Sequence, residues 1–412
     1  MARKRRLRSR DYMSGRALFD DVVAYCELGE HRTGSEDDLE TADWLYRSLR
    51  RAQIDAQRHP FELDQFFLER HRLLVEDEVQ ESFPLWPPCA SDTPVSAQLR
   101  YVDDLHKLPD LHGCVAIVDV VQGTRLTQSS RHLESLKSVE EAGAAAILVV
   151  TPHASGELVA LDTMPGLEPW RLPVLLIGTR IRDKLIAAER RGAQACLQVS
   201  GEREGNAIAY DVVGRIERGP RTVVVSTSYS GWFRAAGERG PGVALWIALA
   251  LSANSRKSDT SYVFIASSGH ELGGLGIRYF LDAHAPSPEA VTSWLHLGAA
   301  IATFAYEGTG EDYRRTDSPS HERHLTTNDD TMVPLLKEVF EGENLEPELT
   351  NAPSGEMRTI ADRGYRVWGF AGRSALHHLR QDLPEASTSP ALLEPIGRRI
   401  LRVVEGIEQR VA

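Results

Sequence analysis

Ser261-Tyr-Val-Phe-Ile-Ala-Ser-Ser-Gly-His-Glu-Leu-Gly-Gly-Leu-Gly-Ile-Arg-Tyr-Phe-Leu281 joins a strand pattern to a helix pattern. Residues 262–266 are a short apolar run rich in β-branched and aromatic side chains, which predicts a buried strand. Glycines and polar residues follow, and a helical pattern begins near Leu275. A strand that ends before His270 and Glu271 and then turns into a helix places both side chains at the carboxyl edge of a sheet, where open α/β sheets bind ligands.

His270 and Glu271 are adjacent, so their side chains leave the strand end in different directions. We therefore expect them to have separate roles, for example one on a metal and the other on a substrate proton. The structural alternative is that Glu271 is a first-turn acid that stabilises the dipole of the following helix.

Strand and helix patterns alternate along the rest of the chain. Strands are predicted at residues 56–64, 115–121, 144–150, 173–177, 207–216, 222–226, 293–302 and 366–371. Helices are predicted at residues 14–28, 36–53, 133–142, 181–191, 241–253, 330–341, 357–363 and 390–411, with a polar loop at 306–330. This alternation predicts an α/β fold with a mostly parallel central sheet that is covered by helices on both faces.

The composition is that of a folded protein with a large core. The chain has 412 residues, of which 42% are hydrophobic and 26% charged, and this length allows two domains. The net charge of −12 argues against nucleic acid or an anionic membrane as a partner. We see no apolar segment near the ~20 residues that a membrane span needs. The expected partner is a small-molecule or peptide substrate, and a homo-oligomer is left open.

The amino-terminal residues 1–12 are strongly basic, beginning Met1-Ala-Arg-Lys-Arg-Arg-Leu-Arg-Ser-Arg10. Because no apolar run follows, they predict a solvated, disordered arm rather than a secretory signal. The cysteines are scattered without a CxxC pair, at Cys26, Cys89, Cys114 and Cys196. This spacing indicates neither a disulfide framework nor a zinc–thiolate site, and it predicts a cytoplasmic, reducing location.

Several motifs resemble the M28 family of zinc aminopeptidases. His31-Arg-Thr-Gly-Ser35 before an amphipathic helix is similar to the opening segment of that family. Gly269-His-Glu-Leu-Gly-Gly-Leu-Gly276 is similar to its Gly-Glu-Glu-x-Gly-x-x-Gly motif, and His378-Leu-Arg-Gln-Asp382 to its terminal His-x-x-x-Asp. Residues 90–200 resemble the protease-associated (PA) domain that many members carry as an insertion, and the similarity is strongest at residues 111–118 and 141–149.

The resemblance implies a three-layer α/β/α sandwich of the phosphorylase/hydrolase-like, zinc-peptidase type with an inserted β/α domain. The predicted domains are a first catalytic part at residues 1–80, a PA-like insertion at 81–205 and a second catalytic part at 206–412.

The resemblance also implies where a metal site would lie. Members of the family hold two zinc ions with two His, two Asp and one Glu, and a further Glu is the general base. In this chain, Ser228 and Ser230 stand where the family has His-x-Asp, and Glu238 stands where it has the bridging Asp. His270 replaces the general base, and Gly298 replaces the second Asp ligand.

These departures predict that one of the two metal sites is lost, because a hydroxyl is a poor zinc ligand and glycine offers only its backbone. Glu238, Glu271 and His378 would then hold one divalent metal, for which zinc is the first candidate, with an open coordination position. The alternative is that the protein binds no metal. His270 is expected to be either the general base or a fourth ligand, and Glu238 an acid–base group if it is not a ligand.

Neighbouring residues are predicted to contact the substrate. They are Ser228, Ser230, Trp232, Arg234, Arg239, Glu356 and His377. The arginines suit a carboxylate group. Alternatively, Glu356 is a first-turn helix acid, and His377 with His378 is a pair on a surface loop.

Three functions remain open from the sequence. The first is an M28-like hydrolase that acts on an amide or peptide-like bond of a small substrate, with one metal ion or a His/Glu acid–base pair. The second is a catalytically inactive M28-like protein that binds a ligand or regulates a partner. The third is a metal-independent enzyme with new chemistry on the same scaffold, since a fold does not fix a function.

Overall fold

The computed structural model describes residues 11–119 and 130–410. The predicted arm at residues 1–12 therefore lies outside the described residues, except for its last two positions. One of these, Asp11, forms an ion pair with Arg398 in the last helix at 2.6 Å.

The helices cover both faces of one large sheet. They are α1 Gly15–Glu27, α2 Glu36–Arg51, α3 Ser130–Glu141, α4 Thr179–Glu189, α5 Gly240–Ser255, α6 Leu275–Ala283, α7 Val333–Phe340, α8 Glu356–Ala361, α9 Pro384–Ser387 and α10 Pro390–Arg410. Short 3₁₀ turns lie at Pro288–Ala290, Gly310–Asp312 and Asp330–Met332. Ser35 caps the start of α2, since its hydroxyl accepts a hydrogen bond from the Asp38 amide.

The strands are longer and more numerous than the sequence patterns indicate. They are β1 Asp55–Val75, β2 Glu78–Gln80, β3 Phe83–Pro84, β4 Ser91–Val102, β5 Val115–Asp119, β6 Ala146–Thr151, β7 Val174–Gly178, β8 Gln194–Ile216, β9 Arg221–Ser228, β10 Thr260–Ser267, β11 Val291–Leu297, β12 Phe304–Glu307, β13 Arg314–Pro319, β14 Arg323–Thr327, β15 Glu348–Leu349 and β16 Val367–Gly372.

The sheet contains two parallel blocks. In the first, β16, β11, β9 and β10 pair in parallel, and in the second β4, β5, β6 and β7 do so. Antiparallel strands flank or join these blocks. The prediction of an α/β fold with a mostly parallel central sheet is confirmed.

The long strand β8 joins the two blocks. On one side it pairs with β1 from Asp55 to Val75, and on the other it pairs first with β4 and then with β10. The predicted domain boundary at residues 205–206 therefore falls inside a continuous strand. The other boundary, at residues 80–81, falls between β2 and β3. The assignment of the second block to the PA domain stays a prediction.

The two largest hydrophobic cores among the described residues lie along this sheet. The first packs α1, α5 and α10 against β9 and β10, and the almost wholly buried α5 carries Trp246 at its centre. The second fills the block of β4 to β7 and continues into Phe61, Trp86, Trp232 and Leu272. Because the last two residues belong to loops beside the first block, the second core is packed directly against that block.

The region after β11 differs from its prediction. The predicted strand at residues 293–302 ends at Leu297, and residues 298–303 form a turn before β12. The predicted polar loop at 306–330 contains β13 and β14, and β14 pairs antiparallel with β16. The many charged residues of this segment favoured the prediction of a loop. Among the described residues, β13 is largely exposed and pairs with β12 in a separate two-stranded sheet.

Within the described ranges, the structure contains no helix that is both long and apolar enough to cross a membrane.

Candidate functional site

The candidate site lies at the carboxyl ends of the first parallel block. The loops that follow β9, β10, β11 and β16 meet there, as expected for an open α/β sheet. A further loop, residues 152–165, arrives from the second block between β6 and β7. Polar side chains from all of these segments are buried together at this edge.

Glu238, His377 and His378 form the most compact group of metal-ligand side chains. One ligand atom from each lies within 4.8 Å of the others. The Nε2 atoms of His377 and His378 are each 3.5 Å from Oε1 of Glu238. Bonds of about 2.0–2.1 Å to a tetrahedral zinc ion would place two ligand atoms about 3.4 Å apart. Among the described residues, both oxygens of Glu238 and Nε2 of His378 are buried without a hydrogen-bond partner.

The charges in this group are strongly coupled. Burial alone would raise the pKa of Glu238, but Arg239, His377 and His378 outweigh it and hold that pKa well below its ordinary value. Burial opposes a charge on His378, yet the nearby Asp162 and Glu238 raise its pKa to about 9. Burial lowers the pKa of His377. These shifts favour a proton on His378 beside Glu238 and oppose one on His377.

Arg239 supplies a second cation to the same carboxylate. Its Nη2 lies 2.6 Å from Oε1 of Glu238, and both side chains are almost completely buried. The contact lacks hydrogen-bond geometry, so it is an electrostatic contact. Nε of Arg239 donates to the Ser230 carbonyl at 3.1 Å, which fixes the guanidinium group.

Asp382 fixes the backbone that carries Glu238. Its carboxylate accepts hydrogen bonds from the Gly237 and Glu238 amides at 2.7 and 3.1 Å, and also one from the Ser387 hydroxyl. Burial raises the pKa of Asp382 to about 7, although these hydrogen bonds oppose the change. The two acidic residues of the region therefore have different roles, because Asp382 bonds to backbone while Glu238 faces the histidines.

The 152–165 loop holds His378 in place. Ala160 binds His378 twice, since its amide donates to the His378 carbonyl at 3.0 Å and its carbonyl accepts from Nδ1 at 2.9 Å. Asp162 lies 3.5 Å from Nε2 of the same ring. His378 has a φ of 61°, which is rare for a residue with a side chain. The second block thus helps to hold a strained residue at the site.

His270 and Glu356 form a second group. Nδ1 of His270 lies 2.9 Å from Oε1 of Glu356, the first residue of α8, and 3.4 Å from the Ser228 hydroxyl. Burial would raise the pKa of Glu356, but His270, His296 and Arg239 outweigh it and lower the pKa to about 2. An ionised carboxylate only accepts hydrogen bonds, so Nδ1 carries a proton, and in the neutral imidazole Nε2 is then the nitrogen with the lone pair.

His296 lies behind this pair at the end of β11. Its Nδ1 is 2.9 Å from the Ser226 hydroxyl, and its Nε2 is 4.0 Å from Oε2 of Glu356. Burial lowers the pKa of His296 to about 4, so the ring is neutral. It is thus a buried wall of the site, next to the carboxylate that orients His270.

Glu271 lies in a separate hydrogen-bond network. One oxygen accepts from the amide and hydroxyl of Thr33, at 2.7 and 2.6 Å, and the other accepts from the Ser230 hydroxyl at 2.9 Å. The preceding turn needs a glycine, since Gly269 has a φ of +87° and a Cβ there would lie 2.8 Å from that of Leu275. The ligand set of Glu238, Glu271 and His378 stays a prediction. The structure groups Glu238 and His378 with His377 instead of Glu271.

The remaining predicted substrate residues fall into different places. Ser230 bonds to Glu271 and also accepts a hydrogen bond from the His270 amide at 3.0 Å. Nε1 of Trp232 donates to Asp162 at 3.0 Å, within the second hydrophobic core. Arg234 donates to the Cys26 carbonyl at 3.3 Å, which ties it to the end of α1.

Gly298, which stands where the family has its second Asp ligand, has no room for a side chain. A Cβ added to Gly298 would lie 2.2 Å from the carbonyl oxygen of Phe370 in β16 and 3.4 Å from the His296 ring. Ser228, the other altered position, contacts His270. The residues therefore fit one metal ion at Glu238, His377 and His378, and they do not provide ligands for a second ion at Gly298.

Four residues that contribute to the site were given no role in it by the sequence analysis. Asp162 and Ala160 reach it from the second block, and only the tertiary structure brings them there. Thr33 was visible only as part of the opening motif, and its bonds to Glu271 explain why that motif lies beside the site. His296 had a signal, since it is a histidine near the end of a buried strand.

Solved structures of peptidases share this architecture. BSAP, a zinc aminopeptidase from Bacillus subtilis, superposes with a TM-score of 0.75 at 17% identity over 97% of each chain. A peptidase M28 precursor from Shewanella amazonensis gives 0.73 at 15% identity, over 96% of this chain and 92% of its own. An aminopeptidase from an Aneurinibacillus species gives 0.62 at 15% identity, over 95% and 93% of the two chains.

No protein-family profile and no curated protein sequence matches the chain. At these low identities, structural similarity supports the fold. The resemblance inferred from the motifs is confirmed at that level: the chain has the α/β fold of the M28-type zinc aminopeptidases over nearly its whole length.

Proposed function

We propose that the protein is a hydrolase that cleaves an amide or peptide-like bond in a small substrate, with one zinc ion at Glu238, His377 and His378. The observation that carries this proposal is the pairing of His270 with Glu356 at 2.9 Å, at the same sheet edge as a buried group with metal-ligand geometry. Zinc aminopeptidases with the same fold add support.

His270 is the proposed general base. Glu356 accepts a hydrogen bond from Nδ1, so in the neutral imidazole the lone pair lies on Nε2, which is the tautomer that a base needs. With 21% of its side chain exposed, His270 is also the most accessible member of the site, where Glu356 and His296 are each 4% exposed. A water molecule or substrate can therefore reach this imidazole, while Glu356 is a positioning residue.

The Glu238 group is the proposed electrophilic side of the site. A bound zinc ion would supply a Lewis acid for the scissile carbonyl. Glu238 would provide the only carboxylate of the proposed ligand set, and the two imidazoles would complete three protein ligands with an open fourth position, as in catalytic zinc sites. The Ala160 carbonyl, which accepts from Nδ1, would orient the ring of His378, as outer residues commonly do for zinc ligands.

Hydrolysis of a panel of amino-acid amides, acylated amino acids and short peptides would test this proposal. The protein would be supplied with zinc, and products would be identified by mass spectrometry. We expect turnover in the wild type and a loss of about 10²- to 10⁴-fold in His270→Gln. His324→Gln is the matched control, because His324 is exposed on β14. An equal rate in His270→Gln and the control would contradict the role of His270.

A second candidate function is ligand binding without catalysis. The observation that favours it is the burial of the charged groups, since Glu238 and His378 are 1% exposed and already balance each other's charge. A pseudoenzyme would bind a small molecule or peptide and show no turnover across the whole panel. A cytoplasmic location and a substrate of small size remain part of either proposal.

A further inference from the structure

We propose that Arg239 is a built-in competitor of the metal ion, so that the affinity of the site for zinc is set by the release of Arg239 from Glu238. This inference rests on the proposed metal site at Glu238, His377 and His378. It adds a regulatory role for a residue that the sequence analysis placed only among the substrate contacts.

The competition concerns one oxygen atom. Oε1 of Glu238 is the atom that faces Nε2 of both His377 and His378, at 3.5 Å each. The same Oε1 lies 2.6 Å from Nη2 of Arg239. A zinc ion bonded to that oxygen at about 2.0–2.2 Å would therefore lie close to a guanidinium group that already contacts it.

Burial makes this competition strong. The side chains of Arg239 and Glu238 are 2% and 0% exposed, so water does not screen the repulsion between the guanidinium group and a divalent ion. Arg239 cannot lose its charge, because a guanidinium group stays protonated in proteins. The metal must therefore bind against a fixed positive charge or displace it.

A second carboxylate lies within the electrostatic range of Arg239. The guanidinium group lowers the pKa of Glu356, whose Oε2 is buried without a hydrogen-bond partner among the described residues. Nε of Arg239 remains anchored on the Ser230 carbonyl. When a metal ion binds Glu238, Glu356 would become the main carboxylate that interacts with the charge of Arg239. Occupancy of the metal site would then affect Glu356, which orients His270.

Zinc affinity of the full-length, metal-depleted protein tests this inference. Isothermal titration calorimetry with zinc would compare the wild type with Arg239→Gln, which removes the charge and keeps a polar side chain. We expect Arg239→Gln to bind zinc about tenfold more tightly or better, because it lacks the buried repulsion. Arg239→Lys keeps the charge and should show no such gain. Arg221→Gln is the matched control, since Arg221 pairs with Asp259 at the first residue of β9, away from the carboxyl end that carries the site.

A second readout covers a variant that folds poorly. Loss of Arg239 removes one of the buried cations beside Glu238, so zinc should raise the thermal unfolding midpoint more in Arg239→Gln than in the wild type. Arg239→Met is a second neutral variant with the same expected behaviour.

The outcomes separate this inference from the proposed function. Equal zinc affinity in the wild type and both neutral variants would overturn the competition and leave the proposed metal site intact. Zinc binding in the neutral variants alone would support the competition and remove the metal from the proposed mechanism of the wild type. A lack of zinc binding in all variants would overturn both the competition and the metal site.

Discussion

At the scale of single residues, the site contains two buried glutamates, and each of them lies beside an imidazole. Glu238 faces His378 and Arg239, while Glu356 faces His270. Both glutamates are kept ionised against burial, since their pKa values are lowered by the neighbouring cations and imidazoles. Buried carboxylates with strongly shifted pKa values are typical of functional sites, where the chemistry needs their charge.

The orientation of His270 gives the first prediction. In Glu356→Gln the side-chain amide can donate to Nδ1, which would favour the tautomer with the proton on Nε2 and remove the base. We expect kcat to fall about 10²- to 10⁴-fold with little change in KM. Steady-state kinetics with the best substrate of the panel would measure both constants. Glu311→Gln, at an exposed glutamate, should behave like the wild type, and a change confined to KM would contradict a positioning role.

At the scale of elements, neighbouring strands decide which metal site can exist. β11 and β16 pair in parallel up to the contact of Leu297 with Phe370, so Gly298 follows directly against the β16 backbone. The loop at residues 152–165 acts on the other group, because Ala160 and Asp162 fix the ring of His378. One element therefore excludes a ligand position while another supports a retained one.

Gly298→Asp should not create a second metal site. The added Cβ would meet the Phe370 carbonyl oxygen at 2.2 Å, and backbone cannot move aside as a flexible side chain can. We expect the free energy of unfolding to fall by about 1–3 kcal/mol, with no increase in bound zinc. Gly205→Asp is the control, since a Cβ at Gly205 meets nothing within 4 Å. A second zinc ion bound by a stable Gly298→Asp protein would show that the position is adaptable.

The docking of the 152–165 loop predicts a cost for Asp162→Ala. This change leaves Nε1 of the buried Trp232 without its acceptor, and it removes one carboxylate beside His378. We expect a loss of about 1–3 kcal/mol in the free energy of unfolding, measured by urea denaturation. Limited proteolysis should also cut faster within residues 152–165. Asp183→Ala, at an exposed aspartate on α4, should leave both quantities unchanged.

At the scale of the whole molecule, one sheet joins two cores, and several buried imidazoles lie between its layers. Burial lowers the pKa of His31 to about 3, and that of His153 and His296 to about 4. His31 stacks on Tyr25 with ring centroids 3.8 Å apart and bonds to Thr41, while His153 bonds to the Ala375 carbonyl. These rings are uncharged in the folded protein and gain a proton when it unfolds in acid.

This burial sets a direction for the dependence of stability on pH. Below about pH 6.5 the unfolded chain binds protons that the folded chain does not. The stability that these neutral imidazoles contribute is therefore complete above that pH and is lost progressively towards pH 4. The slope is about 1.4 kcal/mol per pH unit for each such proton. In His31→Gln the slope of the unfolding free energy against pH between 6.5 and 4 should decrease by up to about 1.4 kcal/mol per pH unit, which is the contribution of one proton. His324→Gln should keep the wild-type slope, and an unchanged slope in His31→Gln would show that His31 does not contribute.

The parts of the fold that depend on local patterns could be predicted from the sequence. The apolar run of β10, the glycine turn at Gly269 and the amphipathic α2 all carry their structure in their own residues. The 21-residue strand β1 was predicted only up to residue 64, because residues 66–75 run in apolar and charged blocks rather than in alternation and are stabilised by pairing with β8. Pairing partners far apart in sequence are not visible in a local pattern.

The candidate site was predictable to the extent that motifs mark it. Glu238, His270 and His378 were found because they occupy motif positions. Their grouping was not predictable, since the contact of His377 with Glu238 depends on the turn after β16. The approach of Asp162 likewise depends on the packing of one sheet block against the other.

Zinc stoichiometry, measured by equilibrium dialysis against buffered zinc, tests the central claim most directly. The comparison would include the wild type, Glu238→Gln and Glu271→Gln. The account predicts one zinc ion per chain in the wild type, its loss in Glu238→Gln and its retention in Glu271→Gln, because Glu271 already bonds to Thr33 and Ser230. Two zinc ions per chain, or loss of the ion in Glu271→Gln with retention in Glu238→Gln, would contradict the account.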